Sequence, residues 1–179
     1  MSGAVVVVQE VFGVTPWLLS AAARFETEGY KTAVPHLYSR LGDPVFGTDD
    51  LPKAREAMAT LTGESILEDL DAAIGSTGVR QSRVAVVGFC MGGAVALYAG
   101  AMRALGAAVS FYGGGITTSR WEGVPPLVEV APGCVRPGSG CTAPATRAYP
   151  SSTWTRWRPP RGSRRCRRGS SVTTPGTAS

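Results

Sequence analysis

The chain has 179 residues, 44% of them hydrophobic, which suits one domain with a real core; no apolar run is long enough to span a bilayer. Its formal charge of +5 joins two unlike parts. Residues 1–131 hold all 13 acidic residues against 9 Lys and Arg, giving −4, whereas residues 132–179 hold 9 Arg and no Lys, Asp or Glu, giving +9.

Ala4–Gln9 is a continuous apolar, β-branched run, as expected of a strand buried on both faces. Thr15 and Pro16 have the chemistry of an N-cap and first helical residue, so a helix is predicted over Trp17 to Glu28, closed by Gly29. A short strand follows over Tyr30–Pro35, then a loop over Leu41–Thr48. Helical spacing covers Leu51–Leu61 and Ser65–Ile74. Arg83–Val87 is a third strand, Gly92–Ala101 a helix, Ala107–Tyr112 a fourth strand and Pro126–Val130 a fifth. Strands alternating with helices imply an α/β fold: a mostly parallel sheet with helices on both faces. In such sheets ligands bind beyond the carboxyl ends of the strands. Gln9 and Glu10, His36, and Phe89-Cys90-Met91 stand at those ends.

Gly88-Phe89-Cys90-Met91-Gly92 has the form of a nucleophile elbow with cysteine at the nucleophile position. A cysteine alone is more often a small core residue. The glycine frame between a strand and a helix is what points to chemistry. A tight corner leaves no room for neighbouring side chains. It lifts the sulfur above the sheet edge and aims a helix N-terminus at it, which favours thiolate. The N–H of Met91 is then placed to hold an oxyanion.

With these residues in place the chain resembles the dienelactone hydrolase family, an α/β-hydrolase branch that opens lactones and esters with a cysteine nucleophile. The resemblance runs over about residues 4–130. It rests on Gln9-Glu-Val-Phe-Gly13, Gly29-Tyr30, Pro35-His-Leu-Tyr-Ser-Arg40, Glu68 to Ile74, Val86 to Gly93 and Phe111 to Ile116, in that order. It implies that Cys90 attacks the carbonyl and that Glu10 faces the resting cysteine and helps switch its protonation. It also implies that the amides of Val11 and Met91 form the oxyanion hole. The partner implied is a small lactone or ester. No cofactor, metal or membrane is implied. His36 is the single histidine, and no Cys-x-x-Cys pair exists among the four cysteines, so the case for a zinc site is weak.

The family also supplies an Asp after a later strand and a His in a Gly-His-x-Phe setting. Past Glu129 this sequence has no Asp, Glu or His. His36 precedes the nucleophile, the wrong order for this fold, and stands where the family often has Asp, so it is expected to anchor a loop. Activity of the chain as written is therefore expected to be impaired.

Residues 132–179 contain no Leu, Ile, Met or Phe and are rich in Pro, Gly, Ser, Thr and Arg. That composition predicts a disordered basic tail on a hydrolase-like domain spanning 1–131 that is incomplete at its C-terminal side. It is also the composition of GC-rich codons read in a shifted frame. Two other readings remain: a non-catalytic binding protein on the same fold, and attraction of nucleic acid or an anionic surface by the arginine- and tryptophan-rich tail. No signal peptide precedes Val5, so a cytoplasmic location is expected.

Overall fold

The computed structural model describes residues 3–130 and the backbone of Gly140–Thr142. Its strand β1 (Ala4–Val8), inside the sheet, is buried along its whole length, because apolar side chains face helices on either side of the sheet. The helix α1 (Pro16–Thr27) begins as its sequence implies: Pro16 is the first residue and the Thr15 hydroxyl accepts from Leu18 N–H at 3.3 Å. Gly29, at φ +83°, ends it. Gly29 N–H donates to Glu26 O and Tyr30 N–H to Phe25 O, the paired closure that satisfies the last carbonyls of a helix.

The strand β2 is only Lys31–Ala33, shorter than the predicted Tyr30–Pro35. Pro35 has no N–H to give a ladder and restricts the residue before it. Helix α2 spans Leu51–Ala59 and α3 spans Gly63–Ser76. The latter starts before Ser65 because Thr62 and Ser65 cap one another: Ser65 N–H donates to Thr62 Oγ1 at 3.1 Å, and Thr62 N–H to Ser65 Oγ at 3.0 Å. Then come β3 (Val84–Phe89), α4 (Met91–Met102) and β4 (Ala107–Phe111).

The predicted fifth strand at Pro126–Val130 is instead a short helix, α5 (Leu127–Val130). Ile116 O takes the Val128 N–H, Pro126 O takes the Glu129 N–H, and Leu127 is buried in the core. Those bonds turn the segment, and a Val-Glu-Val alternation without a neighbouring strand does not extend it. The strand beside β4 is β5 (Gly140–Thr142), in parallel register from Ala107↔Gly140 to Val109↔Thr142. The rest of the expected tail lies outside the described residues.

All neighbouring strands are parallel, in the order β2-β1-β3-β4-β5. One face carries α1 over Val5, Val7 and Val87. The other carries α2, α3 and α4 over Val6, Val8, Val84 and Val86, with Ile66, Leu70 and Val95 at its centre. Each such fully buried aliphatic side chain contributes roughly 1.5–3 kcal/mol relative to exposure. Among the described residues no helix is long and apolar enough to cross a membrane.

Candidate active site

From β1 the chain moves outward to β2, and from β3 it moves the opposite way to β4. The crevice beyond the carboxyl ends of β1 and β3 is therefore the topological switch point of the sheet. The ladder pairs Val8 with Gly88, so the segments that follow, Gln9 to Gly13 and Cys90 to Gly93, emerge side by side.

Cys90 sits at the corner with φ +53° and ψ −117°, a conformation that costs a non-glycine residue about 1–3 kcal/mol. The surroundings hold it there: Cys90 N–H donates to Phe111 O at 3.0 Å, and Cys90 O accepts from Gly93 N–H at 3.0 Å. The flanking glycines are sterically required. A Cβ on Gly88 would overlap the carbonyl of Gly92, and one on Gly92 would lie 2.5 Å from Val8 O and 2.6 Å from Gln9 O. The corner is thus packed backbone against backbone. The Cys90 thiol is free and partly exposed.

Glu10, Val11 and Gly13 form a tight turn, with Gly13 N–H donating to Glu10 O at 3.3 Å. Among the described residues neither Val11 N–H nor Met91 N–H has a hydrogen-bond acceptor. Each belongs to a trans peptide whose carbonyl is already engaged, Glu10 O by Gly13 and Cys90 O by Gly93. Opposite a held carbonyl, each N–H points in a fixed direction.

Glu10 does not hydrogen-bond to Cys90 among the described residues. Its Oε1 accepts from the Tyr112 hydroxyl at 2.9 Å. Tyr112 has φ +42° and follows β4, which brings it to the same edge. Tyr112 is about half-exposed; partial desolvation first, then the bond to Glu10 and the charge of that carboxylate, then the nearby Cys90, raise its hydroxyl above the ordinary range. The Tyr38 hydroxyl donates to Val11 O at 3.0 Å and lies 3.5 Å from Met91 Sδ. Burial, followed by the charge of Cys90, raises it likewise. Gln9 is fully buried; its Oε1 accepts from Leu37 N–H at 3.3 Å, tying the end of β1 to the segment that carries Tyr38.

Residues 2–128 match the pattern of the dienelactone hydrolase family. The chain belongs to that family. Carboxymethylenebutenolidase 1 of Cupriavidus pinatubonensis is 31% identical over 119 residues, which are 63% of this chain and 51% of that protein. A Synechocystis protein assigned as a carboxymethylenebutenolidase is 33% identical over 120 residues, 63% of this chain and 48% of its own length. The chain thus spans about half the length of these curated relatives. A Klebsiella pneumoniae structure assigned to the dienelactone hydrolases superposes with a TM-score of 0.61 at 28% identity, covering 73% of this chain and 56% of that one. The dienelactone hydrolase-like promiscuous phosphotriesterase P91, from metagenomic libraries, gives 0.53 at 27% identity over 66% and 52%.

Within this family member the structure brings Cys90, Glu10, Val11 and Met91 to one edge. His36 is exposed, with its Nδ1 3.1 Å from Asp43 Oδ2. Two polar residues of the edge, Tyr38 and Tyr112, had no role in the sequence reading. Both stand in motifs that carried the resemblance, Pro-His-Leu-Tyr and Phe-Tyr-Gly-Gly-Gly, and Tyr112 directly follows a strand end. An aromatic strip borders the site: Phe89 stacks on Phe111 with ring centroids 5.0 Å apart and meets the edge of Trp17 at 5.0 Å.

Proposed function

We propose that this chain carries the acyl-transfer half of a lactone or carboxylic-ester hydrolase. The Cys90 thiolate attacks the substrate carbonyl carbon. A C–S bond forms and the carbonyl oxygen becomes an oxyanion, held by Val11 N–H and Met91 N–H. Collapse breaks the C–O bond and expels an alkoxide, which takes a proton from solvent; in a lactone the leaving oxygen stays tethered to the acyl group. Glu10 helps set the protonation of Cys90 and is steadied by Tyr112. The observation that best supports this reading is the pair of unengaged N–H groups flanking a cysteine locked in a strained corner.

Release of the acyl group needs a base to activate water. His36, the single histidine, is bound to Asp43, and no Asp, Glu or His follows Glu129. Acylation without efficient turnover is the expected behaviour. With p-nitrophenyl acetate the chain should give a burst of about one p-nitrophenolate per protein and a slow steady state, and Cys90→Ala should remove the burst. Sustained turnover lost in Cys90→Ala would overturn the impaired-release reading. A burst that survives Cys90→Ala would overturn the assignment of the nucleophile. Stoichiometric binding of a lactone with no burst would mark a binding protein on the same fold.

A further inference from the structure

We infer that Tyr38 is a positioning residue that sets the spacing between the two oxyanion donors, an inference resting on the proposed roles of Val11 and Met91. Its hydroxyl touches both halves of the site: it donates to Val11 O at 3.0 Å and lies 3.5 Å from Met91 Sδ. Among the described residues no other side chain lies within hydrogen-bond reach of both residues. The Val11 N–H direction is bracketed by two bonds, from Gly13 N–H to Glu10 O on one side and from Tyr38 to Val11 O on the other. The Met91 N–H is fixed by one, from Gly93 N–H to Cys90 O. Without Tyr38 the two turns are each rigid, but the hydroxyl bridge between them is lost.

Tyr38 is built to act as such a gauge. It is 1% exposed. Its own carbonyl accepts two N–H groups, from Leu41 at 2.8 Å and Asp43 at 3.0 Å. Its ring meets Phe46 edge-on at 6.3 Å. A phenol held at backbone and ring has little freedom left, and its single O–H is spent on a carbonyl rather than on substrate. Its effect falls on where the amides stand, a quantity to which oxyanion stabilisation is sensitive.

The test compares two reactions of one sulfur in the full chain. Acetylation by p-nitrophenyl acetate passes through an oxyanion; alkylation by iodoacetamide does not. Both are read by mass on the tryptic peptide of residues 84–103, which separates Cys90 from the other cysteines. Tyr38→Phe should slow acetylation roughly tenfold, less than the loss of a whole donor would, while alkylation changes by less than about twofold. Rates that are both unchanged, or that fall together, would overturn the inference. If Tyr38→Phe loses its near-UV circular dichroism, Phe46→Leu loosens the ring and keeps the hydroxyl. It should lower the ratio of acetylation to alkylation by about threefold, and an unchanged ratio would again overturn the inference. Wild-type protein that alkylates at Cys90 but never acetylates there would instead sink the acyl-transfer reading, and the inference with it.

Discussion

Gly92→Ala sets two effects against each other. Gly92 lies in the first turn of α4, where helix propensity alone would favour alanine by up to about 1 kcal/mol. The new Cβ, however, would stand 2.5 Å from Val8 O, 2.6 Å from Gln9 O and 2.9 Å from Val8 C. All three are backbone atoms, so no side chain can rotate away. Reaching even a tight 3.0 Å requires α4 and the end of β1 to part by at least 0.5 Å, the difference from 2.5 Å. Overpacking of this kind costs roughly 1–3 kcal/mol, and the rigid neighbours place the net loss near 2 kcal/mol. With a urea slope of about 2 kcal/mol/M, the midpoint should fall by roughly 1 M. The same displacement separates Met91 from Val11, so Cys90 acetylation should fall by about tenfold or more. Gly75→Ala is the control, since Gly75 lies in α3 with nothing within 4 Å of its would-be Cβ; it should stabilise by about 0.5 kcal/mol. A Gly92→Ala midpoint equal to or above wild type would refute the close-packing argument.

Cys90→Gly should be more stable than Cys90→Ala by about 1 kcal/mol in urea titration, because glycine tolerates φ +53°, while both lose acetylation; equal midpoints would mean that the corner stores no strain. Tyr112→Phe deletes the hydroxyl that holds Glu10 and leaves the carboxylate free to approach Cys90, where like charge opposes the thiolate. Iodoacetamide alkylation at neutral pH should slow by roughly fivefold, and an unchanged rate would show that Glu10 keeps its place unaided. Tyr38 and Tyr112 both hold their protons above the ordinary 10.0 in the folded state. The unfolded chain ionises first as pH rises, so it binds fewer protons than the folded chain and stability must fall above about pH 10. Tyr38→Phe should flatten that alkaline limb in pH-dependent denaturation, and an identical slope would contradict the raised value.

The main strands were legible because they are buried on both faces: Ala4–Val8 and the Val84–Val87 part of the predicted Arg83–Val87 are unbroken apolar runs, and helix α1 announced itself through Thr15-Pro16 at its start and Gly29 at its end. Cys90 and its glycines were legible because a crowded corner restricts composition. The segment at 126–130 misled because β-branched residues describe a side-chain shape, whereas the backbone partners on Ile116 and Pro126 decide its geometry. Tyr38 and Tyr112 escaped notice for a related reason. A tyrosine's role lies in where its hydroxyl ends, and those hydroxyls reach residues 27 and 102 positions away.

The crowding of Gly92 against Val8 O and Gln9 O also bears on how such a site diversifies. The corner that carries Cys90 is packed main chain against main chain, with no room for a Cβ at Gly88 or Gly92, so no single substitution there can tune it by degrees. Variation is pushed outward to Trp17, Phe89 and Phe111, whose rings pack on one another and take no part in the corner's backbone hydrogen bonds. Random libraries confined to those positions should therefore retain Cys90 reactivity far more often than libraries of equal size placed at positions 88, 92 and 93.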